Sequence, residues 1–281
     1  MQAISRLKQR MPTLVSLFPP VPSDPIHAAG VVAGPSIYLT IGDQLERLLA
    51  GIELAQLDPT GAQPPATLAI LALVTAFQFA EVLPDRQAAE ATRTHADWKY
   101  ALHLAHTHPG LNHHLLCEFR QTLFRDRSAQ QIFQQVLDRL AEVPLWRGAD
   151  RQAITASEVL AAVCRVSLLE QLIEAMHMVL EAVAAIAPES LRTITLPHWY
   201  ERYSQLQAAR DLPKSQEGQS AWARAIGTDA TYLLEAVARL GDKLSSLPEI
   251  RSLQQVRACQ FESADSAFRW HTPSCAACCL R

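Results

Sequence analysis

Between Asn112 and Arg127 the chain sets His113, His114, Arg120, Gln121 and Arg125 on one predicted helix. Arg and Gln suit the base edges and phosphates of duplex DNA, and a helix N-terminus suits a phosphate. Helical spacing assigns Leu115, Leu116, Phe119 and Leu123 to a buried side. It leaves His113, Cys117, Arg120 and Gln121 on the other. Upstream, Arg86, Gln87, Arg93 and Lys99 form a second set suited to positioning on the phosphate backbone. Glu118 and Asp126 dilute the positive field. On residue chemistry alone an ordinary solvated helix face is therefore the commoner outcome.

Other chemistry is weaker. His95, His103, His106, His108, His113 and His114 crowd one stretch, but no zinc spacing is present. Solvated or capping histidines account for them better than a metal site does. His271, Cys275, Cys278 and Cys279 include a Cys-x-x-Cys pair without a partner half, so an oxidation-prone tail is the commoner reading than zinc. Gly-rich phosphate loops, Ser-His-Asp arrangements and nucleotide motifs are absent from the sequence.

The elements that must position these groups are helical. Residues 1–35 are rich in Pro and small residues and read as a flexible N-terminal arm. Thr40, with Asp43 three residues on, marks a helix start, and Leu45, Leu48, Leu49 and Ile52 follow at helical spacing. Residues 66–82 are apolar nearly all round, as in a central core helix. Asp85 marks the start of the next helix, and Asn112 caps the one that carries the candidate residues. Residues 128–141 and 157–187 continue the pattern, as do 199–207 and 220–240, the last with a possible break at Gly227. Thr228 and Asp229 read as capping residues. No strand series emerges. The fold class is all-α and multi-helical, with a helix-turn-helix-like element and an irregular C-terminal tail. Its parts are the arm, a DNA-binding region at 36–145, a second helical region at 146–245 and a divergent, disordered tail at 246–281.

A chain of 281 residues, 49% hydrophobic and 19% charged, has enough apolar surface to bury a core. The formal net charge of −3 argues against a whole-chain polyanion binder but leaves room for a local basic face. The basic N-terminus is followed by prolines rather than an apolar leader, and the most apolar stretch, 68–80, is too short to span a bilayer. The expected compartment is the cytoplasm, with Cys117 and Cys164 as thiols rather than parts of a disulfide framework.

Several segments, in order, resemble the N-terminal part of bacterial insertion-sequence transposases of the DDE type. They are YLTIGDQL at 38–45, ALVTAFQFAEVLPDRQAAEATRTHADWKYAL at 72–102 and NHHLLCEFRQTL at 112–123. VLAAV at 159–163, APESL at 187–191, WYERY at 199–203 and LPKS at 212–215 follow. The resemblance covers roughly residues 36–240. It implies a helical region that binds the terminal inverted repeats of a mobile element during DNA transposition. It also implies a later ribonuclease-H-like domain, where Asp, Asp and Glu hold two Mg²⁺ ions for strand cleavage and transfer.

The chain departs from that pattern. Thr155 stands where the family carries its first catalytic Asp, and Asp150 and Glu158 are out of register. The ending from Arg257 on resembles nothing in the family. The expectation is a truncated transposase-like protein that binds double-stranded DNA without catalysis. It has no catalytic residues, metal ligands or cofactor of its own, since Mg²⁺ is expected only for a complete family member. The alternatives are a helical protein–protein or homo-oligomerisation module and a non-functional remnant.

Overall fold

The computed structural model describes residues 36–144, 146, 154–203, 212–264 and 267–270. Twelve α-helices and one short hairpin account for most of them, so the fold is all-α. The chain divides into two compact units. One comprises residues up to Ala80 and Ala88–Val159, the other Glu81–Gln87 and Leu160 onward. The sequence pattern suggests a boundary at 145/146. In the structure the chain leaves the first unit inside a continuous helix, after Val159.

The first unit is built around α2 (Pro65–Glu81), a helix apolar on almost every side that buries Leu68, Leu71, Leu73, Val74 and Phe77. Its one buried hydroxyl, Thr75 Oγ1, donates to the Leu71 carbonyl at 2.8 Å, so no donor is stranded there. α1 (Ile37–Leu49) starts earlier than its sequence suggests. Ser36, not Thr40, caps it by accepting from the Tyr38 N–H at 3.3 Å. α1 packs closely on α4 (Ala96–Ala101) because position 42 is glycine. A Cβ there would lie 2.6 Å from the Tyr100 ring and 2.9 Å from its carbonyl oxygen. The approach lets Tyr100 donate its hydroxyl to Asp43 at 2.6 Å. Burial, helped by that bond, pushes the Tyr100 hydroxyl up to about 12. Tyr38, Phe77 and Trp98 meet in tilted and edge-on ring contacts with centroids 4.9–5.9 Å apart. Each contact contributes about 0.5–1.5 kcal/mol beyond burial.

α3 (Asp85–Thr94), α5 (His113–Arg125) and α6 (Arg127–Ala141) complete that part of the chain. α6 is capped by Asp126, whose carboxylate accepts from the Ser128 N–H at 2.7 Å and the Ala129 N–H at 3.2 Å.

The second unit is organised by α7 (Ala156–Ile186) from Leu160 on, with α8 (Pro188–Ile194), α9 (Pro197–Tyr203), α10 (Gln216–Leu240), α11 (Asp242–Ser245) and α12 (Pro248–Gln260). Its core joins Leu169, Leu172 and Val179 of α7 to Ile226 and Leu233 of α10 and Leu253 of α12. Regular structure continues well into 246–281, the span the sequence reads as a tail. Pro248 opens α12, whose Ile250, Leu253 and Val256 at helical spacing are all buried. An antiparallel pair, β1 (Phe261–Ala264) and β2 (Ala267–Trp270), follows. Gly227 does not break α10. It makes room for the Phe261 ring, which a Cβ would meet at 2.6 Å. His271 and the three terminal cysteines lie outside the described residues, as do the arm and Asp150. Among the described cysteines Cys164 and Cys259 are thiols, but Cys117 is disulfide-bonded, against expectation.

Candidate nucleic-acid interface

α5 is the best-formed part of the candidate site. Asn112 caps it as its sequence predicts, accepting from the His114 N–H at 2.9 Å. The outward stripe runs His114, Glu118, Gln121 and Arg125, with spacings of four, three and four residues that keep them on one face. His114, Glu118 and Arg125 are exposed and Gln121 is half-buried. The His113 and His114 rings lie 4.1 Å apart at the N-terminus. Arg127, just past the end of α5, is also exposed. Neither Arg125 nor Arg127 forms an ion pair among the described residues. Their guanidiniums thus keep five donors each for an acceptor from outside.

Two predicted contacts are not on that surface. Arg120 is 0% exposed and belongs to the buried face with Leu116, Phe119 and Leu123. It lies four residues after Leu116 and three before Leu123, so helical geometry places it between two core leucines. The apolar face is wider than the leucines and Phe119 alone suggest, and the Arg falls inside it. Lys99 is 5% exposed. Its ammonium donates to the carbonyl oxygens of His106 and, at 3.3 Å, His108, so it clamps the loop that leads into α5.

The same loop engages two of the six histidines of this stretch. His103 takes a left-handed backbone, φ +51°, and its Nε2 sits 3.0 Å from the Gly42 carbonyl. His108 Nδ1 accepts from the Gly110 N–H at 3.1 Å, and burial next to Lys99 holds the ring below the usual histidine range. The Leu111 N–H donates to Thr92 Oγ1 at 2.8 Å, tying the loop to the end of α3. Among the described residues no group of three His, Cys, Asp or Glu is placed to hold a metal ion.

Of the upstream set, Arg93 is exposed but pairs with Glu90 three residues before it, Nε to Oε2 at 2.8 Å. Arg86 and Gln87 belong to the second unit. Arg86 pairs there with Glu174, and its backbone N–H bonds the Glu170 carboxyl. Glu170 is 9% exposed. Burial first, then the charge of Asp85, pushes its carboxyl up to about 7. These arginines already have carboxylate partners, whereas Arg125 and Arg127 have none among the described residues.

Thr155 has a local structural role. Its N–H donates to Glu158 Oε2 at 2.8 Å, and the Glu158 N–H donates back to Thr155 Oγ1 at 3.2 Å. This reciprocal pair is a capping box at the start of α7. Asp229, read from sequence as a capping residue, is buried within α10 instead, and Ser215 is the cap. The Asp229 carboxylate receives Arg202, the Tyr203 hydroxyl at 2.8 Å and His198 Nε2 at 3.4 Å. Sequence spacing does not reveal this cluster. Its signal is a lone Asp flanked by Ile226, Ala230 and Leu233 on a helix face that is otherwise apolar.

Comparison with protein-family models, curated proteins and solved structures finds no match.

Proposed function

We propose that this chain is a transposase-like, double-stranded-DNA-binding protein that docks the outward face of α5 on the terminal inverted repeats of a mobile element. In this reading it holds DNA without cutting it. The observation that carries the reading is the pair of guanidiniums, Arg125 and Arg127, that form no ion pair among the described residues, at the end of a stripe that also holds His114, Glu118 and Gln121. Arg can read guanine bidentately, Gln can read adenine, and Glu can accept from cytosine. The capped N-terminus of α5 offers N–H groups to a phosphate. The ordered segments that resemble transposases supply the choice of terminal repeats over other duplexes.

The non-cutting half rests on Thr155. A neutral hydroxyl engaged in a capping box does not replace a metal-bridging carboxylate. The test is a mobility shift at stated salt, with the inverted repeats flanking the reading frame set against scrambled duplex. Selective retention of the repeats is expected. Equal, weak binding to both removes specific recognition, and Mg²⁺-dependent cleavage by the purified chain removes the non-cutting half.

A second reading, self-association through α7, is favoured by Met178 and Ile186. They are 45% and 43% exposed and eight residues apart, which keeps them near one side of the helix. Mass measurement across a dilution series decides it: a dimer is expected, and a monomer at all concentrations discards the reading.

A further inference from the structure

The chain enters the second unit twice, first with Glu81–Gln87 and again from Leu160. The short segment makes the 109° turn between α2 and α3. Val82 carries that turn with a left-handed backbone, φ +59°, and packs against the second-unit core. A β-branched residue takes this conformation only where its surroundings force it. The docked segment therefore holds a backbone that relaxes once it comes free.

The polar groups that hold the segment lie on α7. The Arg86 N–H bonds the Glu170 carboxyl, and the Arg86 guanidinium pairs with Glu174. Among the described residues, the charged groups that act on Glu170 are Asp85 and Arg86 from the segment and Glu174 from its own helix. Asp85 is itself buried. Once Glu170 ionises, three carboxylates stand against one guanidinium, and one of the three belongs to the segment. Like charges on two docked elements push them apart, and buried ones are poorly screened by water. We propose that residues 81–87 form a pH-sensitive latch, whose undocking from α7 becomes easier as Glu170 gives up its proton. The latch opens locally, without unfolding of the unit, and stands without the DNA-binding reading.

The sign of the effect follows from the proton. The Glu170 carboxyl, pushed up to about 7 with the segment docked, moves toward its ordinary 4.5 once the segment leaves. Undocking then releases a proton, so the opening equilibrium grows with pH between those values, by at most about tenfold per unit.

The test is hydrogen exchange of the Arg86 amide in the full chain, followed by NMR from about pH 5 to 8 and divided by the intrinsic rate at each pH. The protection of that amide is expected to fall by on the order of tenfold or more across the range. It should stay below the protection of the Leu233 amide in the core of α10, which reports global unfolding. Glu170→Gln keeps an acceptor for the Arg86 N–H but cannot ionise, and should leave the Arg86 protection flat. Asp85→Asn should shrink the fall, and it carries the test should Glu170→Gln fail to fold. An Arg86 amide that matches Leu233 at every pH overturns the latch, because the segment then opens only with the whole unit. A fall that persists undiminished in Glu170→Gln or in Asp85→Asn overturns it as well.

Discussion

Glu170 makes the stability of the second unit fall as pH rises. Its carboxyl is 9% exposed on α7, beside Asp85 and Glu174, with Arg86 as the nearby cation. An ordinary glutamate value of 4.5 against a folded value of about 7 means that the folded state holds its proton more tightly than the unfolded chain does. At about 1.4 kcal/mol per pH unit, ionising Glu170 within the fold costs on the order of 3 kcal/mol. The sign follows from proton counts. Below pH 4.5 both states are protonated and there is no cost. Between 4.5 and about 7 the unfolded state gives up its proton first, so stability falls with pH. Above about 7 the full cost is present.

Glu170→Gln keeps the shape and an acceptor for the Arg86 N–H but does not ionise. Urea unfolding of wild type and variant, measured from about pH 4.5 to 8.5, should give equal stabilities at the acid end. A gap favouring the variant should open to roughly 3 kcal/mol at the alkaline end. Asp85→Asn, which removes a like charge, should shrink the wild-type slope. Parallel pH profiles for wild type and Glu170→Gln would refute the assignment.

Gly42→Ala pushes a methyl group into the Tyr100 ring and carbonyl and should cost about 1–3 kcal/mol or more in thermal or urea unfolding. Arg120→Ala should destabilise by about 2–5 kcal/mol, because it empties the space that the buried side chain fills between two core leucines, yet leave the DNA affinity of the folded fraction unchanged. A selective loss of affinity at full stability would return Arg120 to the interface. Asp229→Asn removes the carboxylate on which Arg202, Tyr203 and His198 converge, and should likewise cost about 3–5 kcal/mol, readable as a lower urea midpoint.

Local signals carry far in this chain. The core helix 65–81, the Asn112 cap and the helix after it all follow from apolar periodicity and short-range capping chemistry. What escapes is what only packing decides. Gly42 looks like a helix weakness in sequence and is a close-contact site in three dimensions. Arg120 and Lys99 carry charges that composition assigns to the surface, yet one lies between core leucines and the other reaches back to loop carbonyls. Asp229 sits in a helix interior and draws its partners from α9, about thirty residues away, which no local pattern encodes. Pro248, Ile250, Leu253 and Val256 are legible as a helix start and an apolar face, but the cysteines and irregular residues that follow mask them. The outward stripe of α5 emerges more sharply from structure than from spacing, because Cys117 and Arg120, assigned by spacing to the outer side, are both buried, and His114, Glu118, Gln121 and Arg125 stand on one line instead.

The most direct measurement is fluorescence anisotropy of a duplex carrying the flanking inverted repeat, titrated with wild type and with Arg125→Ala/Arg127→Ala across a salt series. If α5 docks on DNA through these two guanidiniums, the double variant should bind more weakly. The slope of log affinity against log salt should also become shallower by about 2, one counterion for each lost phosphate contact. An unchanged Kd with an unchanged slope, in a variant that melts like wild type, would contradict the proposed interface.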